Sequence, residues 1–188
     1  MVVKASTNVG NLYLWKTMLK GKNIYLRQIE ETDVNILLMW ENDTNHWRYS
    51  ETEAPFSLLQ LQHYVKNASH VRQNQQLRFV ICRLDNHTAV GTVDLFKIDF
   101  KNKKAGIGIL IANQADRNKG YAQEALFLME RFASHKMELE QLYCDIQADN
   151  FKSIKLFEKA KYVRNGTKKN WYIIKNNAID AYFYQKFI

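Results

Sequence analysis

Proline and glycine are scarce, with one Pro and seven Gly in 188 residues. That excludes collagen-like repeats and Pro-rich disordered tracts. There are only two cysteines, Cys82 and Cys144, each inside a strand-like apolar run. Two thiols build neither a disulfide framework nor a four-ligand zinc site, and a reducing cytoplasm is the expected compartment. No apolar run reaches the roughly 18 residues that a membrane-spanning helix needs. Residues 1–20 lack a continuous apolar stretch and a small-residue cleavage site, so no secretory leader is expected. The five histidines (His46, His63, His70, His87 and His135) show no paired ligand spacing, and no metal is expected.

The chain does carry the material of one globular domain: 46% of its residues are hydrophobic and 24% charged. Residues 1–20 read as an N-terminal extension and 21–188 as a single domain. Net charge is +8, and it is uneven. Residues 151–188 hold eight Lys and one Arg against Glu158 and Asp180, a net of +7, whereas residues 1–150 carry +1. An anionic partner, a phosphorylated cofactor or a nucleic acid, is one reading of that asymmetry, and solvated lysine is the other.

Hydrophobic period divides the chain. Ile24–Ile29 reads as a strand, and Val34, Leu37, Leu38 and Glu41 follow at helical spacing. Residues 42–56 are polar and aromatic and read as a loop. Ser57 to Gln60 has capping-box spacing ahead of Leu58, Leu61 and Val65. Leu77–Leu84, Ala89–Ile98 and Ala105–Ile111 form an antiparallel meander. Ala122, Ala125, Leu126, Met129, Phe132 and Ala133 stripe a long helix that starts near Gly120. A strand at Leu142–Ile146, a helix capped by Asn150 and running to about Lys159, and strands at Asn170–Ile174 and Ala181–Phe187 complete the order. The strand-helix-strand run over 105–146 implies one parallel pair in a mixed sheet.

The chemistry-bearing stretch is Gly106 to Ala122, where a strand feeds a polar loop that opens onto a helix. A helix N-terminus offers unpaired N–H groups and partial positive charge. Arg117, Lys119 and Gly120 at that point suit a pyrophosphate, with Gly120 permitting close approach. A P-loop is excluded because Tyr121 and Ala122 follow Gly120 where Lys and Ser/Thr are needed. A dinucleotide fingerprint fails because Gly106 and Gly108 lie within a strand and the third glycine is missing.

With this element order, Gln114 to Ala122 resembles the pyrophosphate loop of the GNAT superfamily of acyl-CoA-dependent N-acetyltransferases. Asp149 to Tyr162 is similar to its second signature, about 30 residues on. Arg27 to Asp33 is similar to the opening of the branch that includes ribosomal-protein and polyamine acetyltransferases. The resemblance spans Ile24 to Phe187. It implies an α/β (α+β) fold with a mainly antiparallel mixed sheet, helices on both faces and one splayed parallel strand pair. It also implies acetyl-CoA as cosubstrate. Backbone groups of Ile109 and Ile111 would hold the pantetheine arm, and the amides of Arg117, Asn118, Lys119, Gly120, Tyr121 and Ala122 the pyrophosphate. Asn150, Ser153 and Phe157 would line the cofactor from the following helix.

The implied reaction is attack of a primary amine on the thioester, with a backbone N–H near Leu110 or Ile111 as oxyanion donor. Many relatives place a Tyr where this chain has Phe157, so the usual proton donor to the leaving thiolate is missing. Asp94 is the first candidate base, and Tyr143 and Asp145 follow. Glu41 and Asp94 are candidates to hold the amine, with Trp47 as a pocket wall. The acceptor classes are a small amine, an amino sugar or a protein N-terminus. A homodimer is allowed and a membrane partner is not expected. The lack of a recognisable RNA- or DNA-binding pattern disfavours nucleic acid. Phe157 keeps a catalytically degenerate acyl-CoA sensor or scaffold as the alternative.

Overall fold

A computed structural model describes residues 19–50 and 52–188. The expected extension over 1–20 lies outside the described residues but for Leu19 and Lys20. Lys20 bridges to Tyr25. Strand β1 (Ile24–Gln28) leads through a 3-10 turn (Glu31–Asp33) into α1 (Val34–Glu41). That turn is fixed by a two-pronged ion pair, Arg27 Nη1 and Nη2 on Asp33 at 2.6 and 2.7 Å. Short helices α2 (Thr44–Trp47) and α4 (Val71–Asn74) flank α3 (Leu58–Asn67). Strands β2 (Leu77–Arg83), β3 (Ala89–Asp99) and β4 (Lys104–Ile111) form the meander. Then come α5 (Tyr121–Met137), β5 (Gln141–Gln147), α6 (Phe151–Lys159), β6 (Val163–Ile174) and β7 (Asn177–Phe187).

The strands make one sheet in the order β1-β2-β3-β4-β5-β7-β6. Among the described strands only β4 and β5 run parallel. Period-2 alternation sends Phe79, Ile81, Val93, Leu95 and Ile107 to one face, against Leu126, Met129 and Phe132 of α5. The other face is covered by α1 and α3 through Leu37, Trp40, Leu61 and Val65. The expected mixed sheet with helices on both faces is therefore present.

Local departures have simple causes. The Ser57 capping box forms with Gln60, yet Leu58 is 45% exposed, so the apolar stripe of α3 begins at Leu61. Helices α2 and α4 are each four residues long, too short to show a period, and α2 lies inside the stretch expected to be loop. Strands β6 and β7 start earlier than expected, at Val163 and Asn177. No residue of β6 is buried, and its half-buried and exposed positions alternate only in two short stretches.

Candidate active site

Strands β4 and β5 pair only from Lys104–Gly106 to Gln141–Tyr143 and then separate. The outer half of β4 thus borders an opening. Ala112 N donates to Val90 O, and antiparallel alternation then points the N–H and C=O of Ile109 and Ile111 into that opening. The same alternation turns the Leu110 N–H toward β3, and its side chain packs in the α1–α3 cluster. Leu110, expected as an oxyanion donor, is therefore a packing residue, and of the two N–H groups only that of Ile111 faces the opening. The Ile111 carbonyl is already taken by Arg117 Nε at 3.1 Å.

At the end of β4, the backbone N–H groups from Asn118 to Gln123 have no acceptor among the described residues. Gly120 has φ +85°, and a Cβ placed there meets nothing within 4 Å. These open donors at a helix N-terminus fit a diphosphate. Lys119 lies alongside, its Nζ 3.5 Å from Asp116. Arg117 does not supply counter-charge as expected. Its Nη2 donates to Ala112 O at 3.1 Å and lies 3.3 Å from His46 Nε2. Its guanidinium fixes the strand end.

On the face under α1 and α3, Arg78 of β2 donates from Nε to Asp94 and from Nη1 to Glu41. Its guanidinium also lies 5.4 Å from the Tyr64 ring centroid. Burial is the largest influence on Asp94 and raises its carboxyl above the ordinary range, with Arg78 opposing and Glu41 adding. Burial likewise pushes the Tyr64 phenol up to about 12. Two carboxylates on one guanidinium leave one negative charge uncompensated in a partly desolvated place. Arg78 and Tyr64 were missed in the sequence, although a lone cation inside the apolar run Leu77–Ile81 was a usable signal.

The segment after α1 reaches both lips of the opening. His46 Nε2 lies 3.2 Å from Ala112 O, Gln147 Nε2 donates to Arg48 O at 2.8 Å, and Arg48 pairs with Asp149. Trp47, expected as a pocket wall, has its indole N–H on Glu41 O at 2.7 Å. Its polar edge thus closes the end of α1.

The chain matches the family model described as an acetyltransferase (GNAT) domain over residues 23–163. The chain belongs to the GNAT acetyltransferase family. It is 29% identical over 155 residues to the probable N-acetyltransferase YjcK of Bacillus subtilis (strain 168), covering 79% of this chain and 85% of that protein. Among solved structures it is similar to spermidine N-acetyltransferase from Vibrio cholerae in complex with CoA and spermine, with TM-score 0.78 and 21% identity. That match covers 87% of this chain and 95% of the other. It is also similar to RimL, ribosomal L7/L12 alpha-N-protein acetyltransferase in complex with coenzyme A. There the TM-score is 0.77 and the identity 17%, over 89% and 96% of the two chains. As a GNAT enzyme the chain transfers an acetyl group from acetyl-CoA to an amine. The comparisons lend the sensor and nucleic-acid readings no support.

The second GNAT signature sits on α6. Asn150 Oδ1 accepts from Ser153 N at 3.2 Å, the capping role expected of it. Phe157, expected against the cofactor, is instead seated in the main core. It is 4% exposed and packs edge-on to Tyr162 with centroids 5.0 Å apart. Of the lesser base candidates, Asp145 is spent on Lys168 at 2.7 Å. Tyr143 lies level with Gly106, where the strands still pair. Burial and the carboxylates of Asp145 and Asp99 raise its phenol, which makes it a poor base at neutral pH. Both corrections leave Asp94 as the carboxylate beside the splayed half of β4, level with Gly108.

Proposed function

We propose that this GNAT enzyme acetylates a small primary amine held as its ammonium ion at Glu41 and Asp94. The observation that carries the reading is the pair of carboxylates sharing Arg78, whose excess negative charge one ammonium would neutralise. An amino sugar or a protein N-terminus presents the same cation and forms the other arms of the test. The open amides from Asn118 to Gln123 support acetyl-CoA as the donor. Bound there, it would supply the thioester carbonyl as electrophile. Asp94 takes the proton that the amine must lose before attack. The Ile111 N–H faces the opening where charge would develop on the carbonyl oxygen. Phe157, buried in the core and without a hydroxyl, does not protonate the leaving thiolate.

No helix among the described residues is long and apolar enough to cross a membrane. A cytoplasmic setting rests on the two free, buried cysteines. Association with a second copy is supported by the exposed Val163, Trp171 and Ile173 on edge strand β6.

Thiol release from acetyl-CoA should be measured with spermidine, glucosamine and an alanyl dipeptide amide. Turnover is expected with at least one, most efficiently with a small amine. Replacing Gly120 with Glu puts a carboxylate at the pyrophosphate loop and should weaken acetyl-CoA binding at least tenfold, with the circular dichroism unchanged. Unaltered affinity in the folded variant would remove the loop from the cofactor site.

A further inference from the structure

Gln147 ends β5 beyond Tyr143, the last residue level with β4, and so lies on the splayed lip of the opening. It is only 7% exposed. Its amide orientation is fixed chemically, because the Arg48 carbonyl can only accept and Gln147 Nε2 must face it. The amide oxygen, Oε1, is then buried with no donor among the described residues. The same holds for Oδ1 of Asp149, whose other oxygen pairs with Arg48. Two buried oxygens, on side chains that both engage Arg48, thus lack an N–H partner among the described residues, which a folded chain ordinarily avoids.

The neighbouring contacts lie on the side of the carboxylate cluster. The Gln147 side chain reaches the backbone of Arg48, and the neighbouring Trp47 N–H holds the carbonyl of Glu41. Gln147 and the Glu41–Arg78–Asp94 cluster therefore flank the same Trp47–Arg48 segment. An ammonium offers several N–H groups and a positive charge, which matches one amide oxygen and one carboxylate oxygen.

We propose that Gln147 Oε1 is a specificity contact for the acceptor, taking a hydrogen bond from its amine nitrogen, with Asp149 Oδ1 adding a second acceptor on the same lip. This rests on the amine-acetylating reading above. It adds a contact outside the carboxylate pair already assigned to the amine.

The test uses the full chain, acetyl-CoA and whichever of spermidine, glucosamine and the alanyl dipeptide amide the wild type turns over best. Gln147→Leu should raise KM for that amine at least tenfold while the dissociation constant of acetyl-CoA stays within twofold. Gln147→Glu keeps an acceptor oxygen but loses the donor to Arg48. It should recover most of the lost amine affinity, which a purely structural role through the Arg48 carbonyl would not allow. An unchanged amine KM in Gln147→Leu overturns the inference. So does a loss in Gln147→Glu equal to that in Gln147→Leu, or a defect confined to acetyl-CoA binding, which would place the missing donor on the pantetheine amides. These outcomes leave the transferase reading standing. Cofactor binding by the wild type without turnover of any amine overturns that reading and this inference together.

Discussion

Arg78 gathers Asp94 and Glu41 from different elements onto one guanidinium, and that geometry fixes how Asp94 should titrate. Burial raises its carboxyl, and the attraction of Arg78 only partly offsets it. The ionised base therefore appears at higher pH than for an ordinary aspartate. The rate at limiting amine should rise through an acid limb that lies above the ordinary aspartate range. Asp94→Asn should remove that limb and lower kcat by about 10²–10⁴, with acetyl-CoA affinity retained. A limb that survives the substitution would exclude Asp94 as the base. Asp33 titrates in the opposite sense. Burial pushes its carboxyl up, but the Arg27 hydrogen bonds and the Glu30 N–H outweigh that and hold it below its ordinary value. Its stabilising effect is therefore present above the unfolded-state value and lost as pH falls through the lower folded one. Asp33→Asn should cost about 2–4 kcal/mol in denaturant unfolding at pH 7, and much less at the acid end where the wild type has lost the same pair. At this scale the sequence shows residue types but not their partners. Asp94 and Glu41 were legible as acids near the cleft. Nothing in the string announces that Arg117 turns back onto Ile111 and Ala112, or that Gln147 meets Arg48 across the molecule.

Elements were more legible than residues wherever burial imposes a period. The stripe of α5 and the alternation of β2 to β4 follow directly from having one or two covered faces. α2, α4 and the early halves of β6 and β7 have no such face, and their boundaries were missed for that reason. The close fit of β3 to β4 gives a paired prediction. A Cβ on Gly91 would lie 1.9 Å from the carbonyl oxygen of Leu110, a backbone atom that cannot rotate away. Gly91→Ala should therefore destabilise by about 1–3 kcal/mol and, by displacing β4 beside Ile109 and Ile111, weaken acetyl-CoA binding. A Cβ on Gly108 meets nothing nearer than the Phe96 ring at 3.6 Å, an ordinary contact. Gly108→Ala should stay within about 0.5 kcal/mol of wild type. Equal losses from the two would show that strand glycine in general, and not the contact with Leu110, governs the effect.

Over the whole molecule, the basic excess of the last fifth is partly consumed inside the fold. Lys168, Lys169 and Lys186 pair with Asp145, Asp180 and Glu130. The net charge of +8 nevertheless remains as a long-range field. That field attracts a polyanionic cosubstrate and repels a cationic amine, whereas the Glu41–Arg78–Asp94 cluster favours the amine only at short range. Salt screens the distant field over about 10 Å at 0.1 M and acts less on the half-buried cluster. Raising ionic strength should therefore lower kcat/KM for acetyl-CoA several-fold, while kcat/KM for the amine stays level or rises. Steady-state kinetics from low salt to about 0.5 M, with each substrate varied in turn, separates the two signs. A parallel fall for both would mean that the amine is drawn in by an acidic surface rather than delivered against the field to the half-buried pair of carboxylates.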